Sequence, residues 1–124
     1  MREYKIIKFS LDEAYVFDLL SIFQVKINNF TGEKLEKTLQ TMSDLIEEII
    51  DQIGKDLYGQ IINSSQYKDL VDANQYVFDL VDQSKENDNL AKITDDANYA
   101  RHVKKMALQK HFFNNELTEF KNRT

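Results

Sequence analysis

The chain has 124 residues, a net charge of −5, no cysteine, no proline and only three glycines. Disulfides, thiolate metal sites and cysteine nucleophiles are thereby excluded, and an all-β architecture, which needs frequent Gly and Pro turns, is strongly disfavoured. A single all-α domain over residues 1–124 is expected, since a chain of this length buries about two-thirds of its unfolded surface.

In chain order, residues 3–9 alternate enough to form a short strand or extended arm. Ser10, followed three residues later by Glu13, carries a capping-box signature and predicts a first helix starting at Leu11. From Leu11 to Ile27 that helix is apolar on nearly every side, a pattern of helices enclosed by neighbours or used in an interface. Asp18 lies within one of its apolar sides, where a lone carboxylate is costly. Asn28 to Gly32 breaks the helix. A second helix begins at Glu33, with Leu35, Leu39, Met42, Ile46, Ile49 and Ile53 at coiled-coil spacing. Gly54 ends or kinks it, and residues 55–62 form a short extra helix. Ser65 is read as the cap of a third main helix reaching Ser84, with Tyr67, Leu70, Val71, Val77, Phe78 and Val81 on its apolar face and Asn74 among them. Residues 85–94 read as a loop. Thr94 is then expected to open a fourth main helix that buries Tyr99, Val103, Met106 and Phe113. The expected architecture is a bundle of four main helices with an N-terminal extended arm.

Charge is uneven along the chain. Residues 11–96 hold seven bases and eighteen acids, whereas residues 97–124 hold six bases and two acids. The basic end either packs beside acidic helices or meets an anionic partner. With an acidic chain overall and no aromatics interleaved on the basic face, nucleic-acid binding is not expected. No stretch approaches the roughly 18 apolar residues of a membrane span. The first ten residues lack an apolar run long enough for a signal peptide, so the cytoplasm is the expected compartment. Lysine outnumbers arginine 13 to 3, a usage that suggests an AT-rich source such as a phage, and then the cytoplasm of its host.

Two groupings of polar residues bear on chemistry. Glu33 with Glu36, and Glu48 with Asp51, nearly reproduce the E-x-x-E … E-x-x-D pattern of all-helical nucleotide pyrophosphatases related to MazG. Such sites need oxygen ligands converging on Mg²⁺. Here the unbroken apolar spacing puts both pairs on one rod, about 18 Å apart at 1.5 Å per residue. Asn98, Arg101 and Lys105 form the second grouping, one row on the last helix. Arg101 can grip a carboxylate or phosphate, and Lys105 adds a point charge. That row is a solvated face, a small-anion or nucleotide site, or the partner of Asp18 and Ser21. In the last case Asp18 is buried against Arg101, with Asn74 or Asn98 completing its hydrogen bonds. His102 and His111 stand on opposite sides of their helix and cannot share a metal, and the Asp82 to Asp88 run lacks the glycine and the glutamate of a calcium loop.

The segments Asp18 to Lys26 and Asn98 to Lys105, with Glu116 to Lys121, resemble small helical proteins of bacteria and tailed phages that carry D-x-L-S-I-x-x-x-K and N-x-x-R-x-x-x-K. The resemblance implies a helical hairpin or bundle and points to Asp18, Lys26, Asn98, Arg101 and Lys105. It supplies no reaction. The function expected is a non-catalytic interaction or assembly protein without a cofactor, forming a homodimer or binding another protein. The alternatives are the Mg²⁺-dependent pyrophosphatase and the anion sensor.

Overall fold

The computed structural model describes residues 10–84 and 91–116. The expected extended arm lies outside the described residues, as do residues 85–90 of the expected loop and residues 117–124. Among the described residues the chain is all-helical and has five helices. They are α1 (Glu13–Asn29), α2 (Gly32–Ile53), α3 (Lys55–Ile62), α4 (Ser65–Ser84) and α5 (Ala91–Phe113). With no proline to remove a backbone donor, each helix ends where local chemistry ends it. Gly54 stops α2 at φ +90°, a conformation open to glycine, and its amide still donates to the Ile50 carbonyl at 2.9 Å. Asn114 closes α5 at φ 55°, donating to the Lys110 carbonyl at 3.1 Å.

Several helix starts differ from the expectation. α2 begins at Gly32 rather than Glu33, and α5 begins at Ala91, so residues 91–94 are helical rather than loop and Thr94 lies within the helix instead of opening it. α1 begins at Glu13 rather than Leu11, with Asp12 at the N-cap position, its carbonyl accepting from the Tyr15 amide at 3.0 Å and its side chain making no capping bond. The orphan Ala14 amide is instead capped from α5, donating to Gln109 Oε1 at 2.8 Å. A cap supplied from a residue 95 positions away has no local signature. At α4 the cap is Ser64, not Ser65: its Oγ accepts from the Tyr67 amide at 3.1 Å.

α1 is the hub and packs against α2, α4 and α5, which explains why so much of its circumference is apolar. Its Ala14, Phe17 and Leu20 form the core with Ile49 of α2, Ile61 of α3, Tyr67 and Leu70 of α4, and Leu108 of α5. Burying a side chain such as Phe17 or Leu20 stabilises the fold by about 1.5–3 kcal/mol. Tyr67 packs edge-on to Phe17, with ring centroids 6.4 Å apart. Burial pushes the Tyr67 phenol well above its usual range, with Tyr58 reinforcing the shift, and burial also raises Tyr58. α2 rests on the core through Met42, Leu45, Ile46, Ile49 and Ile53, and Leu39 toward its start stays exposed.

α5 departs most from the sequence pattern. Tyr99, Val103 and Met106, expected inside, are 69%, 39% and 37% exposed. Ala97, Lys105, Leu108 and Gln109 are buried in their place. The two rows lie on opposite sides of one helix, so α5 turns a largely polar side to the bundle and an apolar row outward. Only Phe113 of the expected set packs on the core.

Candidate functional site

The inward side of α5 faces a polar seam running between α1 and α4. Asp18 is 6% exposed and Ser21 fully buried on α1, and Asn74 is buried on α4. The Asn74 amide nitrogen donates to Asp18 Oδ1 at 2.9 Å, to Ser21 Oγ at 2.6 Å and to the Leu70 carbonyl at 3.2 Å. Ser21 Oγ in turn donates to the Asp18 carbonyl at 2.6 Å. From α5, Arg101 Nη1 donates to Asn74 Oδ1 at 3.3 Å. Asn74 therefore stands between an anion and a cation, giving hydrogen to one and accepting from the other. The direct Asp18–Arg101 ion pair expected from the sequence is not made; the amide carries the link. This arrangement satisfies the carboxylate without requiring the guanidinium to lose all its water.

The other predicted residues separate. Lys105 is buried, and its Nζ sits 3.8 Å from the centre of the Tyr15 ring, a cation–π contact. Asn98 is half-buried and makes no hydrogen bond to the cluster among the described residues. Lys26 lies over the Phe23 ring at 5.6 Å. Glu33, Glu36, Glu48 and Asp51 are all exposed on the single rod of α2. Glu33 pairs with Lys37 at 3.4 Å, and Glu48 accepts from Gln52 at 2.9 Å. These four do not make the facing pairs from two helices that a pyrophosphatase site needs. Among the described residues no three His, Cys, Asp or Glu side chains gather as metal ligands.

Gln109 is the seam residue that was not anticipated. It is fully buried, caps α1, and donates to Glu13 Oε1 at 3.1 Å and Asn115 Oδ1 at 2.8 Å. Arg101, Lys105 and Gln109 follow i, i+4, i+8, so extending the polar row by one more turn finds it.

Two concavities adjoin these elements. A cavity of about 130 Å³ is lined by Ile22, Val25, Asn74, Val77, Phe78 and Arg101. Arg101 contributes to this lining, and its Nε is buried without a hydrogen-bond acceptor; a buried donor left unsatisfied costs about 1–3 kcal/mol. A wider groove of about 540 Å³ runs between the start of α1 and the second half of α2, with Val16, Phe17 and Ile49 among its apolar walls and Glu13 and Glu48 beside them. The seam holds no nucleophile poised against a base. What it can do chemically is hold α1, α4 and α5 in one register and offer Arg101 donors to a small acceptor. Comparison with protein families, with characterised proteins and with solved structures finds no match to this chain.

Proposed function

We propose that this is a non-catalytic interaction or assembly protein that acts through the outward face of α5. One observation carries the proposal. Tyr99, Val103 and Met106 form an exposed apolar row on a helix whose polar side is committed to the interior. The contacts of the inward polar groups hold α5 in this orientation and leave the apolar row facing water, and exposed apolar patches mark protein contacts. A photoreactive amino acid at position 103 tests this inside the cell that makes the protein. Cross-linked species are expected from position 103 and not from Glu47 on α2, which is also exposed. Equal cross-linking at both positions, or none at 103, contradicts the proposal.

A second reading is favoured by Arg101, a cationic side chain lining the smaller cavity. The cavity beside it is large enough for a few waters or for one small anion with a short apolar tail. A carboxylate such as butyrate would then raise the melting temperature in the millimolar range through mass action. The shift should vanish in Arg101→Met. No shift with acetate, butyrate or phosphate removes this reading.

A further inference from the structure

We infer that the partner of the α5 face is a second copy of the same chain, bound antiparallel about a two-fold axis at Val103. This rests on the proposal that the α5 face is an interface, and adds what covers it.

The exposed row reads Asp96, Tyr99, Val103, Met106, Lys110, at the 3-4-3-4 spacing of a seam between two helices. Every member of the row is exposed. Its chemistry is self-complementary. Asp96 and Lys110 stand seven residues either side of Val103, Tyr99 and Ala107 four residues, and Ala100 and Met106 three. Laying a second α5 antiparallel over the first, with Val103 on Val103, places each member of a pair against its opposite number. Both ends then join an acid to a base, and each bulky side chain meets an alanine. Ala100 and Ala107 are themselves exposed, so they leave the room that Tyr99 and Met106 need. A two-fold axis uses each pair twice, as an isologous interface requires.

The parallel alternative fails on the same residues. In register it sets Asp96 on Asp96 and Lys110 on Lys110, with Tyr99 crowded against Tyr99. Like charges directly apposed disfavour it, and electrostatic matching across an interface selects orientation. One helix against one helix is near the small end of specific interfaces, so association in roughly the micromolar range is expected.

Sedimentation equilibrium of the purified protein between 10 and 200 μM tests the inference. Twice the 14.6 kDa chain mass is expected at the upper end. Asp96→Lys should weaken association at least tenfold, because two lysines then face each other at both ends. The double variant Asp96→Lys with Lys110→Asp should restore it, since the pairing is reversed and intact. Both positions are exposed, and circular dichroism verifies that each variant keeps its helices. Orientation is read separately from nitroxide labels. Labels at position 103 should lie close together, and labels at position 92 about 33 Å apart, given 1.5 Å of rise per residue. A wild type that stays at the monomer mass at 200 μM overturns the inference, as does a double variant no better than the single one. So do equal distances at 92 and 103. A monomeric chain that still cross-links in the cell through position 103 likewise overturns the second copy, while the interface on α5 stands.

Discussion

α1 and α5 solve opposite problems with the same helical geometry. α1 is apolar on most sides and has neighbours on most sides, so its composition and its surroundings agree. α5 has an apolar row and a polar row, and the bundle takes the polar one. The difference lies in what the inward polar groups find. Arg101 meets the Asn74 carbonyl, Lys105 meets the Tyr15 ring, and Gln109 caps the Ala14 amide. Once each of those contacts is made, turning the polar side inward costs little, and among the described side chains it strands only Arg101 Nε. Burial of a helix face is thus decided by the groups opposite it as much as by its own hydropathy.

Core truncation breaks this comparison with the largest effect. Phe17→Ala in α1 should cost about 3–5 kcal/mol in chemical denaturation of the dilute protein, as a large side chain lost from a packed core does. Val103→Ala in α5 should change it by no more than about 0.5 kcal/mol, since an exposed side chain contributes little to the monomer. A comparable loss at both positions would mean that α5 buries its apolar row after all.

The polar seam should respond next. Asn74→Leu removes the amide that serves both Asp18 and Arg101, and is expected to cost about 2–3 kcal/mol. Asp18→Asn should cost less, about 1–2 kcal/mol, because its side-chain oxygen can still accept from Asn74. A direct Asp18–Arg101 pair would make the cost larger, because the variant would then strand a buried guanidinium. If Asp18→Asn is the more damaging of the two, the bridge has been assigned to the wrong residue.

The smallest effect is in alkali. Folded Tyr67 and Tyr58 hold their protons above the usual phenol value of 10, because burial disfavours the phenolate. Above that pH the unfolded chain releases protons that the folded chain keeps, so stability is full below about pH 10 and falls as pH rises beyond it. Tyr67→Phe should flatten that decline. An unchanged pH profile would show that Tyr67 is not enclosed by α1.

Much of the helical plan was legible. The absence of proline, the seam from Leu35 to Ile53 and the breaks at Gly54 and Asn63 place the helices within a few residues of those observed. The all-round apolar character of Leu11 to Ile27 marked the hub. The Asp18 anomaly and the Arg101 row pointed to elements that do meet. What stayed hidden was tertiary. Gln109 caps a helix from the far end of the chain, and Asn74 intervenes between two charges. Periodicity also locates the two faces of α5 without saying which one turns inward, and here the more apolar row is the outer one.

Because the chain has no native cysteine, a single introduced thiol reports its own surroundings, and the orientation of α5 can be measured outright. Tyr99→Cys and Ala97→Cys differ by two residues and lie on opposite sides of the helix. At submicromolar concentration, where self-association is negligible, the thiol at 99 should react with a maleimide at the rate of a free cysteine. The thiol at 97, a position only 5% exposed, should react at least tenfold more slowly. The reverse order, or equal rates, would contradict the claim that α5 presents its apolar row to a partner.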